Sequence, residues 1–119
     1  MTEKNNDARV ASLVTRYEAM AVEWDAVLSD SKKANRLFDQ LHAIAVELRD
    51  SEGGREGIAA LLNHPNRGVR MSAAGECLAW DSDTAVRALE ALVAPRGTHS
   101  LSAQMTLREF RAGRLTFDW

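Results

Sequence analysis

The chain has 119 residues, which is within the usual size of one domain. Leu occurs 13 times and Ala 19 times, whereas Val and Ile together occur 10 times, so helix-forming residues outnumber strand-forming ones. Lys plus Arg number 15 against 17 Asp plus Glu, and the net charge of -2 excludes a strongly basic nucleic-acid binder. The composition therefore predicts an all-α domain, in which only a local basic patch could bind nucleic acid.

A single cysteine, Cys77, excludes a disulfide and a Cys-based zinc site within one chain. Residues 1–7 are polar and are not followed by the apolar core of a signal peptide. No apolar run approaches the roughly 20 residues that span a bilayer. We therefore expect a cytoplasmic protein with no membrane segment and no cofactor.

The first half of the sequence predicts two long helices after a disordered polar segment, residues 1–6. Asp7 can cap the first helix, and apolar residues then recur at steps of three and four from Val10 to Leu28. Residues 29–31 break this pattern and supply the next cap, after which a second apolar stripe runs from Ala34 to Leu48. The shortness of the break predicts that these two helices form an antiparallel pair.

The second half predicts four shorter helices. Gly53 and Gly54 are interpreted as a flexible connection before a helix over residues 55–62, which Pro65 ends. Gly113 ends the last helix. The helix caps between these points are expected at Asn66, at Asp81 or Asp83, and at Ser100 or Ser102. Six helices joined by short turns predict one domain over residues 7–119, a short stack of three antiparallel helical hairpins.

The sharpest local signal lies in residues 61–78. Two leucines precede a His-Pro turn at His64, and Val69-Arg70 and then the paired alanines Ala73 and Ala74 follow it. This pattern resembles a HEAT repeat, in which the valine fills the space between the two helices and the alanines let neighbouring helices approach closely. The resemblance implies a HEAT/armadillo-like stack and a bond from Arg70 to an acidic turn residue, where this sequence has His64.

Three segments of the chain also resemble DUF2019, a family of small bacterial proteins of unknown function. The segments are residues 33–39 with the sequence Lys-Ala-Asn-Arg-Leu-Phe-Asp, the repeat from His64 to Ala74, and residues 102–110. The resemblance spans residues 8–112. It implies an α-helical, HEAT-like fold and a non-enzymatic role.

The side chains that could take part in catalysis or metal binding are better explained by structural roles. Asp39 and His42 share a helical flank and are interpreted as a surface polar pair, because a zinc site needs a third and usually a fourth ligand. His64 and His99 are interpreted as solvated or capping residues, and Cys77 as a buried, unreactive thiol. We therefore expect no catalytic residue and no metal site.

Six residues are candidate contacts to a partner: Asp39, Glu47, Trp80, Asp81, Asp83 and Trp119. The first two project from the polar side of the second helix, and residues 1–60 hold 11 acidic against 8 basic residues, which suits a basic partner. The two tryptophans are either core residues or binding hot spots. The two aspartates after Trp80 are alternatively caps of the fifth helix.

The second helix of each hairpin is expected to line the concave side of the stack, over residues 34–49, 66–79 and 102–112. A mixed polar surface on that side suits recognition of a protein. Its outward residues are expected to include Arg36, Asp39, Gln40, Glu47, Arg67, Met71, Glu76, Arg108 and Arg111.

These patterns predict a protein-interaction module without catalysis. A concrete form is an immunity protein or antitoxin that binds and blocks a basic bacterial toxin. The alternative is a nucleic-acid-binding protein that uses the arginines of residues 61–119, but these residues hold 7 basic against 6 acidic side chains, and so small an excess disfavours it. The sequence leaves the partner, the binding face and the oligomeric state open.

The repeat pattern gives a testable prediction at Ala74. A small residue at this position should lie at a close contact between helices, so Ala74→Leu should overpack the core and cost about 1–3 kcal/mol of unfolding free energy. Chemical denaturation measures the change. A variant that unfolds at the same denaturant concentration as the parent would show that the repeat is wrongly aligned at Ala74.

Overall fold

A computed structural model of the chain describes the backbone of residues 2–117 and the side chains of residues 7–117. Within these residues the structure consists of helices and turns, with no strand, and the predicted all-α class is confirmed. The helices are α1 (Thr2–Ala26), α2 (Ser31–Leu48), α3 (Glu52–Ala60), α4 (Arg67–Cys77), α5 (Ser82–Ala91) and α6 (Thr98–Arg111), with a 3₁₀ turn over Leu61–Asn63. None of the helices in this part of the chain has the length and apolarity that crossing a bilayer requires.

The helices pack as three hairpins in chain order, α1 with α2, α3 with α4, and α5 with α6. The predicted stack is thus confirmed. Helix α4 is the central element, because it also packs against α1, α5 and α6. Helix α1 runs along the stack and contacts both helices of the second hairpin.

Three predicted caps are present. Asp30 caps α2, and its carboxylate accepts a hydrogen bond from the Lys33 amide at 3.2 Å. Asn66 caps α4 and accepts from two backbone amides, at 2.7 and 3.1 Å. Asp81 caps α5 by accepting from the Thr84 amide at 3.3 Å. Each cap satisfies amides that have no partner within the helix, so these residues define where the hairpins turn.

Two predicted helix starts are wrong. Helix α1 begins at Thr2 rather than after a cap at Asp7, and Met1 lies outside the described residues. Helix α6 begins after Gly97 instead of after a serine cap. Ser100 lies inside its first turn, where its buried hydroxyl accepts a hydrogen bond from the Gly97 amide at 2.8 Å. The serine therefore contributes to the cap from within the helix.

The prediction that Gly53 and Gly54 form a flexible connection is also wrong. Both lie in the first turn of α3, which Ser51 caps by accepting a hydrogen bond from the Gly54 amide at 3.0 Å. Gly54 is buried against the end of α2, and a Cβ at this position would lie 1.9 Å from the Leu48 carbonyl oxygen. Glycine is needed here because it lets α2 and α3 approach closely.

The core follows the small residues of α4. Ala73 and Ala74 are fully buried, in agreement with the repeat pattern. The largest fully buried side chains around them are Tyr17, Leu41, Leu48, Ile58, Val69, Cys77, Leu89 and Leu92. Helix α4 can contact four other helices because its alanines take little space.

The bond that the repeat implies for Arg70 does not form within the described chain. The Arg70 Nε atom is buried and makes no hydrogen bond to any described residue. His64 occupies the turn position of the acidic residue, and its Nδ1 accepts a hydrogen bond from the Asn66 amide at 3.0 Å instead. The substitution of an imidazole for a carboxylate explains the difference.

The contact at Gly54 generates a prediction. Gly54→Ala should lower the free energy of unfolding by about 1–3 kcal/mol, because the added methyl group overlaps the end of α2. Gly75 is a matched control: it also lies in a helix, and a Cβ there meets nothing within 4 Å. Gly75→Ala should raise the stability by about 0.5–1 kcal/mol. Equal effects of the two substitutions in urea denaturation would contradict this packing.

Candidate functional site

A cleft of about 310 Å³ lies between α2, α4 and α6, the second helices of the three hairpins. This is the side of the stack that the sequence predicts to be concave. The residues that line the cleft are Trp24, Phe38, His42, Arg49, Met71, Ser72, Gly75, Glu76, Leu78, Ser102, Thr106, Leu115, Thr116 and Phe117. The size is at the lower end of the range for ligand sites.

One large apolar side chain of the cleft lining is exposed. Among the described residues, the large hydrophobic side chains that remain exposed are Val22, Phe38, Leu101 and Met105. Phe38 lines the cleft from α2. Leu101 and Met105 are 60% and 56% exposed on α6, and each directly precedes a residue that lines the cleft. Of these four side chains, Phe38 thus lines the cleft, and Leu101 and Met105 lie on α6, the helix that supplies another wall.

One wall of the cleft is polar and partly buried. Ser72 and Tyr17 share a hydrogen bond with their oxygens 2.5 Å apart, and Tyr17 is fully buried behind the wall. His42 Nδ1 lies 3.1 Å from Glu76 Oε1, with 12% and 13% of the two side chains exposed. These pairs join α1 to α4 and α2 to α4, so the polar wall also fixes the three helices.

Burial changes the pKa values of two side chains in this wall. Loss of solvent raises the pKa of the Glu76 carboxyl above its usual value, against the opposing effects of the His42 hydrogen bond and the nearby charges of His42 and Arg49. Burial likewise raises the pKa of Tyr17, and the charge of Glu76 adds to this rise. The wall therefore favours the neutral forms of both acids.

Ser72, His42 and Glu76 are residue types that serve in acyl-transfer triads, and they line one cleft. The Ser72 hydroxyl, however, is bonded to the buried phenol of Tyr17. This bond satisfies a polar group that would otherwise be buried unpaired between α1 and α4. The geometry therefore gives Ser72 a role in packing α1 against α4.

The segment after α6 closes one side of the cleft. Gly113 adopts a positive φ of 72° and turns the chain, and residues 114–117 then continue without helix or strand. Leu115 and Phe117 pack partly buried against the core, while Thr116 between them is exposed. We call residues 114–117 the strap. Its apolar residues lie at alternate positions, as expected of an extended segment with one face on the protein.

The base of the strap is held by an ion pair. Arg114 donates to both carboxylate oxygens of Glu109, at 2.6 and 3.1 Å, and its amide donates to the Glu109 carbonyl at 3.0 Å. Beyond the strap, Arg49, Arg55, Ala79, Trp80 and Phe117 line a second cavity of about 370 Å³. Phe117 and Arg49 border both cavities, so the strap lies between them.

The structure corrects the interpretation of His42 and His99, whereas His64 accepts a backbone hydrogen bond in its turn, as a capping residue does. His42 is not a surface partner of Asp39 but part of the buried pair described above. His99 is 12% exposed, and its Nε2 lies 2.6 Å from Asp25 Oδ1. His64 is 18% exposed, with its Nε2 3.5 Å from a carboxylate oxygen of Glu18. The partners of the latter two lie on α1, so these histidines connect α1 to the ends of other helices.

The predicted partner residues do not form one surface. Asp39 is exposed on α2 beside Phe38, whereas Glu47 forms an ion pair with Arg9 of α1. Trp80 is half-buried against the core and lines the second cavity. Of the remaining three, Asp81 caps α5, Asp83 is exposed in the first turn of α5, and Trp119 lies outside the described residues. Their contact with a partner stays a prediction.

Several arginines of the second half have partners within the chain. Arg67 donates to the Leu92 carbonyl at 2.8 Å, although the sequence predicts it on the concave surface. Arg111 pairs with Glu90 at 3.0 Å, and Arg114 with Glu109. These contacts distribute the arginines over several elements instead of one basic stripe.

Cys77 is buried, and burial raises the pKa of its thiol to about 12, with smaller contributions from the charges of Asp81 and Glu76. The structural role predicted for this residue is thereby supported, because a thiol that stays protonated is a poor nucleophile. Within the described part of the chain, no group of three or more His, Cys, Asp or Glu side chains could hold a metal ion.

The fold and the cleft define an all-α protein built from three stacked hairpins. Residues 11–111 match the family described as domain of unknown function DUF2019, and the chain belongs to this family. It is also similar to a solved structure, that of the protein RPA1889 from Rhodopseudomonas palustris CGA009. That protein is 30% identical, with a TM-score of 0.82 over 92% of this chain and 93% of the other. No curated protein matches the sequence.

Glu76 generates a prediction about pH. Because the folded state raises its pKa above the reference value of 4.5, the folded protein holds this proton more tightly than the unfolded chain. The contribution of protonated Glu76 to the free energy of unfolding is therefore complete below about pH 4.5. It is lost as the pH rises through the pKa of Glu76 in the folded protein. The Glu76→Gln variant should be as stable as the parent at acidic pH and more stable than the parent at neutral pH.

Urea unfolding from about pH 4 to about pH 8 measures this difference. Glu90→Gln is the control, since it removes one carboxylate charge at a position where half of the side chain is exposed. A Glu76→Gln variant that loses stability relative to the parent as the pH rises would refute the account of this wall.

Proposed function

We propose that this protein is a non-enzymatic protein-interaction module whose partner binds across the cleft between α2, α4 and α6. One observation carries the proposal: Phe38, a large hydrophobic side chain that stays exposed, lines this cleft together with other apolar residues such as Trp24 and Leu115. Apolar groups in contact with water at one concave site are characteristic of interaction surfaces. The aromatic side chains that line the cleft can anchor a partner.

The form of the cleft supports binding of protein rather than chemistry. Its two polar pairs join helices to one another and are themselves largely buried. Such bonds hold the walls in place before a partner arrives, which lowers the entropic cost of association. A rigid helical stack with an apolar cleft can then block a partner by occupying its surface.

A concrete form of the proposal is a cytoplasmic immunity protein or antitoxin that blocks a basic toxin domain. Its support is the acidic first half of the sequence and the exposed carboxylate of Asp39 next to Phe38 at the edge of the cleft. A basic side chain on the partner could pair with Asp39 while an apolar neighbour enters the cleft. Glu47 contributes less in this form, because Arg9 already neutralises it.

Nucleic acid as the partner gains no support from the arrangement of arginines. Binding to a phosphate backbone needs cations along one face. Here Arg67 binds a backbone carbonyl, and Arg111 and Arg114 pair with carboxylates.

The proposal predicts which substitutions weaken binding to the partner captured from native cytosol. Phe38→Ala should weaken that binding about tenfold or more, because it removes an aromatic anchor from the edge of the cleft. Val22→Ala is the matched control, since Val22 is 41% exposed, Phe38 is 43% exposed, and Val22 does not line the cleft. Titration calorimetry with the purified partner measures both. Equal affinities for the Phe38→Ala and Val22→Ala variants would refute the cleft as the binding site.

The basic-toxin form predicts a different effect at the acidic edge. Asp39→Asn should slow association, most strongly at low ionic strength, because an exposed charge acts mainly on the encounter rate. Glu47→Gln, at the residue already paired with Arg9, should change the rate less. An Asp39→Asn variant that associates as fast as the parent at low ionic strength would exclude a basic partner at this edge.

A further inference from the structure

The strap contacts the cleft in the manner of a bound peptide. It has no regular secondary structure; Leu115 and Phe117 are partly buried against the core, and Thr116 between them is exposed. All three residues line the cleft. An extended segment with apolar side chains at alternate positions is a common mode by which one protein reads a short stretch of another.

The strap is attached by few interactions. Its base depends on the pair between Arg114 and Glu109, whose side chains are 58% and 41% exposed. Beyond this pair, two partly buried apolar side chains anchor it, with Leu115 and Phe117 packed on the core. Segments with few buried contacts open at a lower free-energy cost than the helices around them. We therefore expect the strap to leave the cleft at a lower free-energy cost than the unfolding of the helices around it.

We propose that the strap is a built-in occupant of one side of the cleft, where a partner displaces it with an extended segment of the same chemistry. That segment carries two apolar side chains, one of them aromatic, separated by a single polar residue. The inference rests on the proposed function, because it assumes that the partner uses this cleft, and it adds what the partner presents there. Since the strap is tethered beside the site, it lowers the apparent affinity of every competing segment.

The experiment uses a fluorescent peptide of residues 113–117, acetylated and amidated, and the full-length protein. Anisotropy should report binding to the Leu115→Ala/Phe117→Ala double variant with an affinity about tenfold higher than to the parent, because the tethered competitor is weakened. A peptide in which both apolar residues are alanine should not bind. Equal affinity for the double variant and the parent, or binding of the alanine peptide, would overturn the proposal.

A second variant keeps the test decisive if the double variant fails to fold by circular dichroism. Glu109→Gln loosens the base of the strap without changing its anchors or the cleft, and it should raise the affinity for the peptide above that of the parent. Glu90→Gln is the matched control, since it breaks the exposed ion pair between Glu90 of α5 and Arg111 of α6, which does not involve the strap. Equal affinities of these two variants for the peptide would refute displacement of the strap.

The outcomes separate this inference from the proposed function. If Phe38→Ala abolishes partner binding but the peptide does not bind the double variant, the cleft is the partner site and the strap inference is wrong. If the peptide binds as predicted but Phe38→Ala leaves partner binding unchanged, the strap occupies the cleft in cis and the partner binds elsewhere. A parent protein that elutes as a dimer and becomes monomeric in the double variant would show that the strap binds a second copy, which overturns occupancy in cis.

Discussion

The contact between Tyr17 and Ser72 is the interaction on which the rest of the structure depends. Tyr17 is fully buried, and its hydroxyl bonds with Ser72 across the interface of α1 and α4. A phenol can be buried at low cost only where its hydroxyl has a partner. This bond fixes α1 along the central helix α4. The two helices then form the frame against which the other hairpins pack.

Further polar contacts extend this frame from α1 to other elements. Arg9 pairs with α2, Glu18 lies near the imidazole of the turn before α4, and Asp25 bonds with the imidazole at the start of α6. Because one helix holds three separate parts of the stack, the positions of the second helices relative to one another are constrained. The cleft is the consequence: its walls belong to different hairpins, but they are held in place through a common helix and through α4.

The lining of the cleft combines fixed polar pairs with exposed apolar edges. The members of each buried pair satisfy each other and so stabilise the walls. Phe38 in the lining and Met105 elsewhere on α6 expose large apolar surfaces. Water contact with these side chains is unfavourable, so a partner that covers them gains free energy. Membership of DUF2019 and the similarity to the Rhodopseudomonas palustris protein define the fold. The proposed binding function depends on the cleft.

Local sequence patterns were sufficient for most of the helices and for caps such as Asn66, because each depends on neighbours within a few residues. The pairing of His42 with Glu76 spans 34 residues, and that of His99 with Asp25 spans 74. No local spacing signals such pairs. Gly54 resembles a flexible link in sequence because the close approach of α2 that requires it arises only in the folded chain. The apolar strap was visible in the sequence, but its position in the cleft was not.

Hydrogen–deuterium exchange of the protein with and without its purified partner tests the central claim, that the partner binds in the cleft, most directly. The account predicts slower exchange in the complex for the cleft-facing segments of α2 and α6, around residues 38–42 and 101–106, with little change in α5. It also predicts faster exchange in residues 114–117, because the partner releases them. Protection confined to α5 or to the N-terminal half of α1, with the cleft segments unchanged, would contradict the account.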